Sequence, residues 1–264
     1  MYVALILSAL MSIGPLLIVV VNSLRPNMEI FTDPLGLPKH PALSNYAQAW
    51  GAGAIGGYLL NSVLVTAGSL ALGLAVSLPI AYALGRWQFL GKRLLSVLFV
   101  AGMMVPIRLG VLPLFHLYEA TGLIDTRIGL MLINAAAAMP TSVLIITAFY
   151  RALPASLFEA AHVDGAGELQ TFWRIGTPLV RPAVVTAAVM NVGPAWNDFF
   201  FPLIMLRSPS RFTIPVGISS FFGEHTVDRG LLFAGLVIAV APLAIMFAFA
   251  MRLVVGGLTA GMER

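Results

Sequence analysis

The chain contains no cysteine, which excludes disulfides, thiolate metal sites and cysteine nucleophiles. Charge is nearly as scarce. Only 10% of the 264 residues are Asp, Glu, Lys or Arg, against about 25% in a soluble domain. So few charges cannot cover a surface that faces water on every side. No Gly-x-x-x-x-Gly-Lys-Ser/Thr phosphate cradle occurs, so a nucleotide site of that type is excluded. His116 and His162 have no carboxylate or histidine partner at ligand spacing, which speaks against metal binding and acid–base chemistry. The net charge of +4 is spread along the loops. It is too weak for nucleic acid and reads as ordinary membrane-flanking charge.

What the chain does have is long apolar runs. It is 59% hydrophobic, with a mean hydropathy of +0.94, and reads as an all-α polytopic membrane protein. Crossing a hydrocarbon core takes about 20 apolar residues. Six stretches qualify: Val3–Val21, Tyr58–Leu84, Leu95–Leu117, Gly129–Tyr150, Ala183–Leu206 and Leu231–Leu253. The first lacks a basic start and an Ala-x-Ala-like cleavage site, so it reads as a spanning helix rather than a removed signal peptide. At this length one membrane domain over 1–264 is expected, with no room for a separate large soluble domain. Every span contains proline: Pro15, Pro79, Pro106 with Pro113, Pro140, Pro194 with Pro202, and Pro242. Two readings stay open. Proline is generally enriched in membrane helices, or the helices are bent and line a pathway that satisfies the freed carbonyls.

The connections differ in character. Asn22–Gly57 is long and turn-rich, Gly85–Leu94 is short and basic, Tyr118–Ile128 is short, and Ser208–Gly230 is mixed. Putting Gly85–Leu94, Arg151–Pro182 and the tail on one side collects eight basic residues: 86, 92, 93, 151, 174, 181, 252 and 264. The other side holds six: 25, 39, 127, 207, 211 and 229. The excess of positive charge places both termini in the cytoplasm.

Arg151–Pro182 is about thirty residues of polar, helix-prone sequence between two apolar blocks, where a few turn residues would suffice for a simple connection. Pro154 suits the first turn of a helix, and Gly165 can supply a left-handed stop. A second short helix is expected over Glu168–Ile175, ended by Gly176, Thr177 and Pro178. Ala160 and Ala161 would let another surface approach the backbone. Glu159 offers a charge, and Phe158, Phe172 and Trp173 offer apolar anchors. By pattern alone this is either a docking element or an amphipathic hairpin lying on the membrane surface.

The segment resembles the EAA loop of ABC importer permease subunits. The shared positions are Glu159, Ala160, Ala161, Asp164, Gly165, Ala166, Phe172, Ile175, Pro178 and Pro182, while Thr177 stands where the family usually has Leu. The likeness extends, in order, through Ser23-Leu24-Arg25-Pro26, Glu29-Ile30-Phe31, Asn45-Tyr46, Leu60-Asn61-Ser62 and Ala81-Tyr82-Ala83-Leu84. It continues through Gly91-Lys92-Arg93, Met104-Val105-Pro106, Gly122–Thr126, Trp196-Asn197-Asp198 and the ending Gly257–Gly261. The chain is thus similar to the shorter, six-span permease of a carbohydrate-type ABC importer pair, with the type I importer fold.

The resemblance implies a non-catalytic subunit of the prokaryotic inner membrane, surrounded by lipid. It would pair with a second permease, receive a sugar or sugar derivative from an extracytoplasmic binding protein, and bind no nucleic acid. Two copies of a cytoplasmic ATPase, or an ATPase heterodimer, would carry ATP and magnesium. Glu159, Ala160, Ala161, Asp164 and Gly165 would dock into the ATPase. The competing transport reading, an ion-coupled secondary carrier, would be expected to place acidic or histidine relays inside the membrane, yet only Asp198 lies clearly within a span. A membrane enzyme would need a reactive cluster near one interface.

Ionisable residues inside spans are scarce. Arg108 lies about 13 residues into the third and Asp198 about 15 into the fifth, roughly 20 Å from the inner face at 1.5 Å per residue. Either they face the interior and pair, directly or through water, or one snorkels to the outer interface or meets the partner permease. Trp196 and Asn197 stand beside Asp198, where a ring and an amide suit sugar contact. With Arg108 and Asp198 they form the expected substrate pathway.

Overall fold

The computed structural model describes residues 2–51, 54–219 and 228–262. Among them the regular structure is helical: α1 Tyr2–Ser23, α2 Asn27–Thr32, α3 Ser44–Trp50, α4 Ile55–Arg86, α5 Lys92–Met104, α6 Val111–Ala120 and α7 Arg127–Ala152. Then follow α8 Ala155–Val163, α9 Glu168–Thr171, α10 Thr177–Leu179, α11 Arg181–Trp196, α12 Phe200–Met205, α13 Ile214–Ser219 and α14 Arg229–Met262. Four helices are long and apolar enough to cross a membrane unaided: Leu5–Ser23, Ile55–Arg86, Arg127–Ala152 and Arg229–Ala248. Two bent helix pairs bring the number to as many as six.

The first bent pair corrects the expected third span. Leu95–Leu117 is not one helix: Lys92–Met104 and Ile107–Ala120 meet at 86°. Val105 is extended ahead of Pro106, at φ −87° and ψ 114°, because the proline ring disfavours a helical residue before it. Ala183–Leu206 is broken as well. α11 stops at Trp196, and a separate short helix starts at Phe200. Pro79 and Pro140 lie inside unbroken helices, so proline alone does not set the break points.

The chain divides into two compact units, 1–62 with 202–245 and 63–201 with 246–264. The first is held by buried polar contacts that account for several of the sequence motifs. The Arg25 guanidinium, 2% exposed, donates to Asn22 Oδ1 at 2.8 Å and to the carbonyls of Glu29 and Asp33 at 3.0 and 2.7 Å. Asn45 Nδ2 donates to the carbonyls of Ser23 and Arg25. Asn61 Nδ2 donates to the carbonyls of Ser210 and Phe212 at 3.0 and 2.9 Å, and Ser62 Oγ accepts from the Ile214 N–H. The turn-rich connection Asn22–Gly57 therefore contains two short helices, α2 and α3, pinned by side-chain amides. Ala52 and Gly53, the part of the 208–230 connection over 220–227, and Arg264 in the tail lie outside the described residues.

In the second unit α7 packs against both α5 and α11. Thr126 caps α7 by accepting the Gly129 N–H at 3.0 Å, which gives the Gly122–Thr126 motif a structural role. At the far end of α4 and α7, Tyr82, Tyr150, Phe158 and Phe172 form a buried aromatic block with Ile146, Val180 and Ala183. Gly85 permits this approach: a Cβ there would stand 2.5 Å from that of Tyr150.

Candidate functional site

Two places in the second unit gather functional side chains: the 151–182 loop, and a cavity between α5, α7 and α11.

In the loop, Pro154 precedes α8 and Asp164 caps its C-terminus. Gly165 is left-handed at φ 82°. Its N–H donates to the His162 carbonyl, and the Ala166 N–H donates to the Ala161 carbonyl at 2.9 Å, the paired bonds of a Schellman stop. α9 then runs on through a π-helical turn, Phe172–Gly176, into α10, and does not end at Gly176–Pro178. The π turn, with i→i−5 bonding, carries the helix on to Pro178 in α10. The break comes later, with a 68° bend between Glu168–Leu179 and Arg181–Trp196.

Exposure sorts the expected docking residues. Glu159, Ala160, Asp164 and Gly165 are exposed. Ala161 is buried, at 5%, so the small-residue surface is presented by Ala160. Phe158 and Phe172 are not external anchors: both belong to the internal aromatic block. Trp173 is 57% exposed, and Val163 and Leu169 stand out beside it at 86% and 72%.

The sequence reading missed a cluster at the junction of α4 and the loop. Glu168 Oε2 accepts from Tyr82 Oη at 3.1 Å and from Trp87 Nε1 at 3.3 Å. Glu168 Oε1 lies 3.4 Å from His162 Nε2, so His162 does have a carboxylate neighbour, six residues on. The Arg86 guanidinium stacks 3.8 Å from the centre of the Phe158 ring and donates to the Leu153 carbonyl. These side chains, with Glu159, line a cleft of about 420 Å³.

The second place is a cavity of about 440 Å³. Arg108 and Asp198 both line it, each just beyond one of the two helix breaks. Irregular backbone inside a membrane is tolerated where it is buried in protein or faces a water-filled space. Between them lie Asn134 and Thr141 from α7 and Asn191 from α11, with Ala137, Ala138 and Ala195 leaving the space open. Asp198 accepts from the backbone N–H groups of Phe200 and Phe201, capping α12, while its Oδ2 has no protein partner. Asn134 Nδ2 is likewise buried without one. Arg108 lies 5.7 Å over the Phe200 ring. Arg108 and Asp198 line the same cavity, and the guanidinium charge reaches the carboxylate electrostatically. Trp196, which is buried, and Asn197, which is exposed, are not in its wall. Asn134, Thr141 and Asn191 are. Single polar residues in otherwise apolar spans were the signal that could have found them.

The comparisons with known proteins follow the same lines. The family described as binding-protein-dependent transport system inner membrane component matches residues 73–259. The diacetylchitobiose uptake system permease protein NgcG of Streptomyces coelicolor is 34% identical over 98% of this chain and 87% of its own length. The arabinooligosaccharides transport system permease protein AraQ of Bacillus subtilis is 32% identical over 96% of this chain and 91% of its own. A chain in the crystal structure of a bacterial ABC transporter involved in the import of the acidic polysaccharide alginate superposes with a TM-score of 0.85 at 21% identity, covering 95% and 94% of the two chains. That likeness establishes the fold. Nothing in these matches favours an ion-coupled carrier, and the broken spans, the capped loop and the full-length relatives agree: the chain belongs to the inner-membrane permease components of binding-protein-dependent ABC transport systems.

Proposed function

We propose that this permease passes a sugar or oligosaccharide inward, and that the 151–182 loop couples the membrane helices to an ATPase. Two relatives of high coverage are named for oligosaccharide uptake, which supports the substrate class. The partners that follow are a second permease, an extracytoplasmic binding protein and two ATPase subunits that hold ATP and magnesium. Both termini then face the cytoplasm. Residues 1–264 are read as one permease domain, because α4 and α14 each run unbroken across the division between the compact units.

The observation that carries the coupling role is the surface of α8. Glu159, Ala160, Asp164 and Gly165 are exposed on a helix whose other face, through Ala161 and Phe158, is buried against the ends of α4 and α7. A force applied to that surface acts on spanning helices through close-packed aromatic rings, which transmit strain. The cavity with Arg108 and Asp198 is the proposed substrate pathway, with Trp196 and Asn197 supporting the break that carries Asp198. Hydroxyl groups of a sugar suit its unpartnered donor at Asn134 and acceptor at Asp198.

The test is disulfide cross-linking from Ala160→Cys to a cysteine in the candidate ATPase, in a chain that has no native cysteine. Ala160 is the better probe because Ala161 is buried. A cross-link whose yield changes with ATP is expected. An assembled complex silent at Ala160, Glu159 and Asp164 alike would refute the coupling role or the topology.

A further inference from the structure

We propose that Glu168 is a positioning residue for transport: its carboxylate fastens the loop to the end of α4, so that the two move as one body. The inference rests on the coupling role of the loop.

The aromatic block brings Tyr82 within 5.2–5.3 Å of Phe172 and Tyr150, ring centre to ring centre. Ring contacts exclude water, fill space and transmit strain. Directional bonds to a charged acceptor are the stronger kind, and they fix an angle. Glu168 accepts two such bonds on one oxygen and turns the other toward His162. Oε2 receives the Tyr82 hydroxyl, four residues before the end of α4, and the Trp87 indole N–H just past it. Oε1 faces His162 in the last turn of α8. One side chain on α9 thus ties α4, its exit and α8 together. Arg86 and Glu159, the remaining charged groups around the cleft, lie outside this set of contacts: Arg86 is engaged by Phe158 and Leu153, and Glu159 is exposed at the cleft. A loop needed only as a docking pad would have no use for two polar ties to the end of a spanning helix. A lever would.

The experiment uses the full transporter in lipid nanodiscs, with partner subunits free of reactive cysteine. Spin labels at Ser156→Cys, an exposed position in the first turn of α8 outside the docking residues, and at Val76→Cys, a half-exposed position on α4, report the distance between loop and helix by pulsed electron resonance. With Glu168 present, one narrow distance is expected, the same without nucleotide and with ATP. Glu168→Leu should broaden it and make it nucleotide-dependent, while ATP hydrolysis continues with less uptake per ATP of whatever sugar the cognate binding protein carries. Glu168→Gln should restore the narrow distance, since its amide oxygen can accept the same two donors. Tyr82→Phe, which keeps the ring and loses one donor, should broaden the distance partway and serves if Glu168→Leu does not assemble. A narrow, nucleotide-independent distance in Glu168→Leu, or in Tyr82→Phe if only that variant assembles, overturns the proposal. So does a nucleotide-dependent distance in the unmodified chain. Failure of the coupling role itself would be seen separately, as loss of the Ala160→Cys cross-link with Glu168 intact.

Discussion

The segment 22–57 and the loop 151–182 are the two long polar connections, and they use charge in opposite ways. The first buries its cation. Arg25 is enclosed by Asn22 and by the carbonyls of Glu29 and Asp33, while Phe31, Leu35 and Leu37 stand exposed. The loop does the reverse, with Phe158 and Phe172 inside and Glu159 and Asp164 outside. A buried charge with satisfied partners specifies a local structure and is costly to disturb. An exposed charge on a well-capped helix adds little stability and is free to meet a partner. The first region is a scaffold by this criterion, and the second is a contact surface.

The comparison can be broken by substitution, and the largest effect is expected where the charge is buried. Arg25→Leu removes the bonds from a buried cation to Asn22 Oδ1 and to the carbonyls of Glu29 and Asp33, at a cost of about 3 kcal/mol or more. Thermal melting of the solubilised complex should fall by several degrees; a wild-type melting curve would remove the scaffold role. Gly165→Val should come next. At φ 82° a branched side chain meets the left-handed penalty of about 1–2 kcal/mol, and limited proteolysis should then cut the loop near Asp164 at lower protease concentration. Glu159→Gln should be smallest in stability, within about 0.5 kcal/mol, yet ATP hydrolysis stimulated by the loaded binding protein should drop. An unmoved stimulation at unmoved stability would mean that the exposed carboxylate contacts nothing of consequence.

Much of this was legible before the fold. Apolar runs located the helices, and Gly165 marked the stop of α8, because only a residue without Cβ takes that conformation cheaply. Arg108 and Asp198 stood out as charges in apolar sequence. The helix breaks at Pro106 and Asn197 were less legible, since a hydropathy window averages over a bend. The cue at Pro106 was nevertheless present, in the constraint on Val105. The role of Glu168 was hidden for a different reason. Tyr82 lies 86 positions away, and no local periodicity reports which carboxylate an apolar helix end will meet. Phe158 and Phe172 were misread as external because aromatic residues serve cores and interfaces equally well.

The bonds from Asn61 to Ser210 and Phe212 close across 149 and 151 residues of chain. Ribosomes add about 5–20 residues per second, so Asn61 is synthesised about 8–30 s before its acceptors exist. Through that interval the start of α4 holds a carboxamide with neither of those carbonyls to bond. Assembly of this part of the protein is therefore timed by the synthesis of its last quarter. A chain ending before Ser210 would lack the two carbonyls that hold Asn61 in the complete fold.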